Sequence, residues 1–275
     1  MTRTHRASFL PPSSAGIPDR YLTALVLFDE LAVRVRSSVE GLSSADRLGG
    51  GDRSGQYRLD LVADADVVDS LLASGYNVLS EESGFHDQGA SLTVVVDPVD
   101  GSTNASRGLP WWASSFSLVA EVDGALTPVA SLVADHGSGA VFSAVAGAGA
   151  WHNGARLPLL GACRPSEEAI VGLNGRCPIN LGWAQTRTFG ALALDLCCVA
   201  EGRLDGYVDA VVGNHAPWDY LGALLVVSEC GGVVVDALGQ DLCVLDHAAR
   251  RSPVAAPTIE RCETWIGTAA GVLWR

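Results

Sequence analysis

Residues 94–104 read Val-Val-Val-Asp-Pro-Val-Asp-Gly-Ser-Thr-Asn, and this stretch decides how the surrounding chain is interpreted. Three consecutive valines are typical of a buried β-strand, and this strand runs directly into Asp97. Pro98 stiffens the turn, and Asp100 follows two residues after that proline. If the segment from Gly101 opens a helix, its free N–H groups lie at the same place. The stretch therefore predicts two carboxylates and several N–H donors at one edge of a sheet.

Outward from this stretch, helical and strand patterns alternate. Apolar residues recur at helical spacing over 17–40 and 66–73, and Asp64 and Asp66 stand where the second helix is expected to begin. Residues 41–55 are rich in Gly, Ser and Asp, which predicts a loop. The other predicted elements are strands over 77–80, 92–97, 116–121, 125–134, 139–146, 169–173, 204–211 and 233–236, and helices over 190–201 and 218–230.

The order of these elements predicts a layered α/β protein with a strand-rich middle. Residues 1–16 are expected to form a flexible tail. Residues 17–160 would form an N-terminal α+β half that carries most of the candidate ligands. Residues 161–275 would form a C-terminal α/β half that closes the active site.

Two further groups of carboxylates stand at the ends of apolar elements. Glu81 and Glu82 follow a predicted strand, and Asp219 stands at the start of a predicted helix. Each alone has an ordinary explanation, as a solvated turn or as a helix N-cap. Asp97 and Asp100 are harder to explain in that way, because crowded carboxylates repel one another unless a cation neutralises them. Oxygen ligands with no His or Cys nearby suit Mg²⁺, Mn²⁺ or Ca²⁺.

The composition excludes several classes of function. The chain has 275 residues, of which 48% are hydrophobic and 18% charged, so it can bury a large core and is not intrinsically disordered. Its net charge of −13 disfavours binding to nucleic acid or to an anionic membrane. All 18 basic residues are Arg, and the absence of Lys excludes Schiff-base and P-loop chemistry.

The cysteines and the N-terminus point to the cytoplasm. The seven cysteines have no metal-like spacing, and we expect them to be reduced. Arg3 and Arg6 precede Pro11 and Pro12, where a secretion signal would need an apolar core. We therefore expect a soluble, cytoplasmic protein.

Three of these motifs, in this order, resemble the signatures of the inositol monophosphatase family. They are Glu81-Glu82-Ser83, the 97–104 stretch, and Trp218-Asp219 followed by Glu229-Cys230-Gly231-Gly232. The resemblance covers roughly residues 20–255 and includes Asp60-Leu61-Val62 with Asp66, Arg187 before Gly190-Ala191-Leu192-Ala193, and Gly202-Arg203-Leu204-Asp205-Gly206-Tyr207. It implies the αβαβα sandwich of the sugar phosphatases, a Mg²⁺-dependent phosphomonoesterase inhibited by Li⁺, and a homodimer. Its partner would be a small phosphorylated metabolite.

The resemblance also implies roles for individual residues. Two or three Mg²⁺ ions would be held by the side chains of Glu81, Asp97, Asp100 and Asp219 and by the carbonyl of Val99. Glu81 and Ser102 would orient the water that attacks phosphorus and would be the catalytic residues. The substrate and its phosphate would be bound by Gly101, Ser102, Thr103, Gly190, Ala191 and Arg187.

The chain departs from the family pattern at four places. Ser102 stands where the family usually has Thr, and Ala63 and Ala105 replace a Thr and an aromatic residue. Residues 174–186 are shorter than usual and contain Pro178, so a helix near the substrate mouth is expected to be trimmed. These changes bear on the substrate more than on catalysis.

Several alternatives remain open at this point. The substrate would be inositol 1-phosphate or, within the same family, histidinol phosphate, 3′-phosphoadenosine 5′-phosphate or fructose 1,6-bisphosphate. An inactive metabolite-binding member is a further possibility, although every expected ligand position holds a competent group. The haloacid dehalogenase phosphatases are excluded, because they need Asp-x-Asp and a Lys. Ser102 could instead cap a helix, and His215 is an additional candidate substrate contact.

Overall fold

Two β-sheets alternate with three layers of helices in a computed structural model that describes residues 16–51, 56–177, 181–270 and 273–274. The strands of the first sheet are, in spatial order, β2 (Gly84–His86), β1 (Asn77–Ser80), β3 (Leu92–Asp100), β4 (Ala113–Val122), β5 (Ala125–Asp135), β6 (Val141–Val145), β7 (Gly149–His152) and β8 (Ala155–Arg156). Those of the second are β10 (Gln185–Arg187), β9 (Ile170–Asn174), β11 (Gly206–Asp209), β13 (Pro253–Ala256) and β12 (Val233–Asp236). The helices are α1 (Asp19–Gly41), α2 (Ser44–Leu48), α3 (Arg58–Ala73), α4 (Ser102–Arg107), α5 (Leu192–Ala200), α6 (Pro217–Glu229) and α7 (Ile259–Ala269).

The layers stack in the order helix, sheet, helix, sheet, helix. Helices α1 and α3 cover the outer face of the first sheet, α5 and α6 fill the space between the sheets, and α7 covers the second sheet. The α/β fold class and the αβαβα sandwich are therefore confirmed. The division into halves at residue 160 stays a prediction. None of the described helices is both long and apolar enough to cross a bilayer, and no disulfide joins the cysteines of the described residues.

The apolar periodicity of the first predicted helix is confirmed by its packing. Leu25, Phe28, Leu31 and Val35 of α1 are buried against the first sheet. The Phe28 ring stacks on Phe116 of β4, with 5.0 Å between ring centroids. This contact fixes α1 across the middle of the sheet.

The second predicted helix begins earlier than its apolar pattern indicated. Helix α3 starts at Arg58 rather than at residue 66, so Asp64 lies in the helix and not at its N-terminus. The cause is Asp60, whose Oδ2 accepts the backbone N–H of Tyr57 at 2.8 Å and so starts the helix with a polar turn. Asp64 is buried instead, and its Oδ1 accepts a hydrogen bond from the hydroxyl of Ser80.

Other boundaries differ where the elements are short or polar. The predicted loop at 41–55 contains α2, which is capped by the Ser43 side chain at the Asp46 N–H, 3.1 Å away. Strands β2, β7, β8, β10 and β13 and helix α7 were not predicted. Residues 1–15 of the expected tail and residues 178–180 of the shortened segment lie outside the described residues. In the described parts of 174–186 the chain forms the end of β9 and the start of β10 but no helix.

A bulge in β3 determines where the two aspartates of the 94–104 stretch point. Asp97 pairs with Ser115 of β4, and Asp100 pairs with Ala113, so three steps along β3 match two steps along β4. Side chains alternate between the faces of a strand, and an odd spacing would normally place the two aspartates on opposite faces. The extra residue in β3 cancels this difference, so both carboxylates point to the same face of the sheet, which is the face covered by α6.

Helix α6 lies on that face at an unusually close approach. At Gly222, an added Cβ would stand 2.5 Å from the Ser115 Oγ and 3.2 Å from the Phe116 carbonyl oxygen of β4. The glycine therefore allows the helix backbone to contact the strand, and the helix carries Asp219 one turn earlier. The position of Asp219 depends on this contact.

We expect Gly222→Ala to destabilise the protein by about 1–3 kcal/mol, because the methyl group must push α6 away from β4. The measurement is the midpoint of urea unfolding followed by circular dichroism. Gly267→Ala in α7 is the matched control: its Cβ meets nothing within 4 Å, and alanine is the better helix former by up to about 1 kcal/mol. Equal midpoints for the two variants would contradict the close approach of α6.

Candidate metal centre

Three acidic side chains from separate elements meet at the edge of the first sheet. Glu81 follows β1, Asp97 lies in β3 and Asp219 lies in the first turn of α6. Each offers one carboxylate oxygen, and the three oxygens lie within 4.8 Å of one another. Strands β1 and β3 are parallel neighbours with Ser80 opposite Val96, so the residues that follow these two positions come side by side. The sheet thus brings together two carboxylates and α6 adds the third.

The aspartates of this group are fixed by backbone N–H groups, whereas Glu81 is not. Asp97 Oδ1 accepts the N–H of Val99 at 2.8 Å, and Asp219 Oδ2 accepts the N–H of Ala216 at 2.7 Å. The Glu81 carboxylate makes no hydrogen bond to the described residues, and only its backbone carbonyl is held, by His247 Nε2 at 2.9 Å. The role of the Val99 carbonyl as a ligand stays a prediction.

Asp100 stands beside the three and is tied to the second half of the chain. Its Oδ2 accepts the N–H of Ala193 at 2.8 Å, and the N–H of Leu192 also stabilises the carboxylate. Both donors belong to the first turn of α5, where unpaired N–H groups favour negative charge. Asp100 therefore joins the edge of the first sheet to α5.

Burial of so many carboxylates makes their ionisation costly. Desolvation, followed by the charges of the neighbouring carboxylates, raises the pKa of both Glu81 and Asp97 well above the ordinary values. Desolvation and the charge of Asp219 raise the pKa of Asp100 to about 7. Desolvation also raises the pKa of Asp219. Buried, mutually repelling oxygen donors without His or Cys fit a hard divalent cation such as Mg²⁺.

A fifth acid, the buried Asp60, extends this negative region and was not singled out as a ligand from the sequence. Its Oδ1 is buried with no hydrogen-bond partner, and desolvation raises its pKa to about 7, with a further contribution from the charge of Glu82. The charge of Asp60 in turn raises the pKa of Glu81. The signal that could have identified it is the acid in the polar first turn of α3, directly before apolar Leu61 and Val62.

A glycine turn links the carboxylates to α4. Gly101 has φ +85°, and an added Cβ would stand 3.0 Å from both the Trp111 carbonyl oxygen and the Ala191 Cβ. Gly190 is also close, with its carbonyl oxygen 3.1 Å from that position, so the predicted substrate-binding residues 101, 190 and 191 lie together. A side chain at Gly101 would be strained and would close this turn.

Ser102 is the first residue of α4, and Gly101 is its N-cap. The alternative that Ser102 caps the helix is therefore wrong, because its hydroxyl lies inside the helix start and makes no capping hydrogen bond. Thr103 is exposed, and its Oγ1 lies 3.4 Å from the hydroxyl of Tyr57. The predicted role of the Ser102 hydroxyl in catalysis stays a prediction.

A cavity of about 240 Å³ opens next to Asp100 and Asp219. The rest of its lining comes from β9, the loop before α5, α5 itself, β11 and the loop before α6. These residues are Leu173, Asn174, Thr188, Gly190, Ala191, Leu192, Asp195, Tyr207, Asn214 and His215. Arg187 does not belong to this described lining, and its guanidinium donates to the Thr186 carbonyl at 2.9 Å and to Gln185 Oε1 at 2.5 Å. The predicted role of Arg187 with the substrate stays a prediction.

One imidazole faces this cavity, and its partner is a buried acid. His215 Nδ1 lies 2.7 Å from Oδ2 of Asp209, which is fully buried at the end of β11. Burial opposes protonation of His215, but the bond to Asp209 and the charges of Asp219 and Asp100 outweigh it and raise the pKa of the imidazole. The site thus contains an imidazole whose Nδ1 is held by a buried carboxylate.

Comparison with known proteins identifies what the chain is similar to. The model of the inositol monophosphatase family matches residues 58–266. A fructose-1,6-bisphosphatase/inositol-1-monophosphatase from Thermococcus kodakarensis is 35% identical over 209 residues, which are 74% of this chain and 78% of the relative. The Nus factor SuhB of Escherichia coli is 32% identical over 197 residues, 66% of this chain and 71% of that protein.

Solved structures share the fold. A hypothetical protein from Pyrococcus horikoshii with similarities to inositol-1 monophosphatase has a TM-score of 0.74 at 25% identity, over 88% of this chain and 97% of that chain. Inositol monophosphatase II from Staphylococcus aureus also has a TM-score of 0.74, at 23% identity over 93% of this chain and 95% of that chain. The second likeness shows the fold alone.

The raised carboxylate pKa values predict an unusual pH dependence of stability. In the unfolded chain these acids titrate near pH 4, whereas Asp100 and Asp60 titrate at about 7 in the folded protein. Between about pH 4 and about pH 7 the folded state binds more protons than the unfolded state. The free energy of unfolding that these acids contribute is therefore highest near pH 4 and is lost as the pH rises through about 7. In EDTA, we expect the thermal unfolding midpoint to rise when the pH is lowered from 8 to 6.

Mg²⁺ should reverse this trend, because a bound cation stabilises the ionised carboxylates at pH 8. The control is Asp97→Asn, which removes one of the repelling charges and should show a weaker pH dependence in EDTA. If the thermal midpoint in EDTA decreases when the pH is lowered from 8 to 6, and does so equally in both proteins, the carboxylate group does not govern stability.

Proposed function

Because the chain belongs to the inositol monophosphatase family, a family of phosphatases, we propose that it is a Mg²⁺-dependent phosphomonoesterase acting on a small phosphorylated metabolite. Inositol 1-phosphate is the first candidate substrate. The observation that carries the proposal is the group of oxygen donors from the buried Asp97 and the half-buried Glu81 and Asp219, beside a cavity large enough for a small polyol. Hydrolysis would use an activated water, because bound cations lower the pKa of water and no covalent nucleophile is then needed.

The side chains of Glu81, Asp97, Asp100 and Asp219, with the Val99 carbonyl, would hold two or three Mg²⁺ ions. When bound, such ions lower the pKa of water and neutralise charge on the phosphate. The Glu81 carboxylate, which has no hydrogen bond to the described residues, would accept a proton from the attacking water. The Ser102 hydroxyl would orient the same water.

The phosphate would lie at the glycine turn. The backbone N–H groups of Gly101, Ser102 and Thr103 would bind its oxygens, and the close contact between Gly101, Gly190 and Ala191 leaves room for no side chain there. The alcohol would extend into the cavity past Ala191. Arg187 would approach the substrate from the cavity mouth if its contacts along β10 are exchanged.

The cavity supports a monophosphate with a hydroxylated leaving group. Its described lining offers Asn, Thr and His side chains but no Arg, and Asp195, whose pKa is raised by desolvation, adds negative charge when it ionises. A second phosphate, as in fructose 1,6-bisphosphate or 3′-phosphoadenosine 5′-phosphate, would face that charge without a cationic partner. Fructose 1,6-bisphosphate remains in the test because the Thermococcus relative is named for it. The ammonium group of histidinol phosphate could pair with Asp195, which makes it the second candidate.

The remaining features of the proposal follow from charge and family. We propose a cytoplasmic homodimer that is inhibited by Li⁺ and does not bind nucleic acid, since the net charge is −13. The relative named Nus factor SuhB makes nucleic-acid binding worth testing directly by gel shift. An inactive role is disfavoured, because every expected ligand position keeps its acid although burial raises the pKa values of these acids.

The first activity prediction concerns the metal and the substrate. The purified protein should release phosphate from inositol 1-phosphate faster than from histidinol phosphate, 3′-phosphoadenosine 5′-phosphate or fructose 1,6-bisphosphate, and only with Mg²⁺. EDTA should abolish turnover, and Asp97→Asn should lower kcat by at least about 10³, or about 4 kcal/mol of barrier. Phosphate release is measured by a molybdate assay, with circular dichroism to show that the variant is folded. Full turnover in EDTA would refute the metal assignment.

The second concerns the hydroxyl of Ser102. Ser102→Thr should keep activity, because the oxygen is retained and only a methyl group is added. Ser102→Ala should lower kcat by roughly 10² or more, the scale of a group that handles a proton, with little change in the thermal midpoint because the hydroxyl does not cap α4. An alanine variant with full activity would remove Ser102 from the reaction.

A further inference from the structure

We propose that His215 selects the leaving group by a hydrogen bond between its Nε2 and a hydroxyl of the substrate alcohol, and that Asp209 is the positioning residue that orients the imidazole. This inference rests on the proposed phosphatase function and deepens it, because it names the residue that recognises the alcohol. In this proposal Asp209 contacts only the imidazole and other protein groups, and His215 alone of the pair contacts the substrate.

Asp209 cannot contact a substrate, because the protein uses both of its carboxylate oxygens. Oδ1 accepts the Asn174 side-chain N–H and the Val211 backbone N–H, each at 2.9 Å. Oδ2 is bonded to His215 Nδ1 at 2.7 Å, and the carboxylate has no exposed surface. The Trp274 indole donates to the Asp209 carbonyl oxygen at 2.9 Å and fixes the end of β11.

The ring nitrogen that remains is the one available to the cavity. With Nδ1 donating to a carboxylate, Nε2 is the other ring position, and it makes no hydrogen bond to the described residues. The backbone of His215 is also fixed, by reciprocal hydrogen bonds with Arg251 of 3.1 Å and 2.7 Å. The imidazole is therefore held in one orientation before a substrate arrives, which lowers the entropic cost of binding.

A hydroxyl is the group that matches this nitrogen. Nε2 accepts a hydrogen bond when the ring is neutral and donates one when it is protonated, and a hydroxyl can do either. An ammonium group satisfies only the neutral ring and a carboxylate only the protonated ring. Asn174, Thr188 and Asn214 line the same cavity, so further hydroxyls of a polyol would also find partners.

Two substitutions test the roles of the two ring nitrogens of His215 separately. His215→Asn places an amide N–H near the former Nδ1 and keeps a donor for Asp209, but it removes Nε2. His215→Gln places its amide near the former Nε2 and gives up the bond to Asp209. The two substrates compared are inositol 1-phosphate and p-nitrophenyl phosphate, whose leaving group has no hydroxyl beside the ester.

We expect His215→Asn to lower the ratio of kcat/KM for inositol 1-phosphate over p-nitrophenyl phosphate by about tenfold, the effect of one lost hydrogen bond. His215→Gln should recover part of this ratio, and Asp209→Asn should lower it less than His215→Asn. Equal losses on both substrates would indicate a purely structural role and overturn the proposal. An unchanged ratio would overturn it as well.

The wild-type protein separates this inference from the proposed function. If it hydrolyses p-nitrophenyl phosphate with Mg²⁺ but the ratio does not respond to His215, only the present inference fails. If it hydrolyses neither compound, the phosphatase function fails. In that case, calorimetric binding of inositol 1-phosphate with Mg²⁺ decides the inference: about tenfold weaker binding to His215→Asn supports it, and equal or absent binding overturns it.

Discussion

Repulsion among carboxylates that have lost their water is the constraint around which this structure is arranged. The bulge in β3 turns Asp97 and Asp100 to one face, β1 delivers Glu81, and α6 brings Asp219 to meet them. Backbone N–H groups from three different segments each donate a hydrogen bond to one aspartate oxygen, and these bonds offset only part of the free-energy cost of burial. The rest of the cost appears as raised pKa values. Folding and cation binding are therefore linked through the same atoms.

Elements with strong apolar patterns could be predicted from the sequence, because burial of one face dictates both their type and their place. Helix α1, strand β1 and the two helices between the sheets belong to this group. The start of α3 could not be predicted in the same way, since Asp60 replaces an apolar signal with a polar cap. Helix α7 could have been predicted as well, because its buried residues Cys262, Trp265 and Ala269 recur at the spacing of one helix face and pack on the second sheet.

The candidate site divides along similar lines. Glu81, Asp97, Asp100 and Asp219 could be selected from motifs because each follows or opens an apolar element, and the sheet order then brings them together. Pairs that join distant parts of the chain could not be selected. The Trp111 indole donates to Asp195 at 3.0 Å across 84 residues of sequence, and no local pattern announces such a bond. For the same reason the sequence identified His215 only as a candidate, without its acidic partner.

Asp219 has a second role, because its side chain accepts the Ala216 N–H and so caps the N-terminus of α6. Glu81 has no such structural role, and in the absence of a cation its side chain only adds negative charge beside the other carboxylates. In a duplicated copy that no longer served catalysis, selection for a folded chain would preserve Asp219 while Glu81 drifted, since its loss relieves repulsion. Among diverged descendants of this protein, the residue at position 81 would thus be a better record of retained chemistry than the one at position 219.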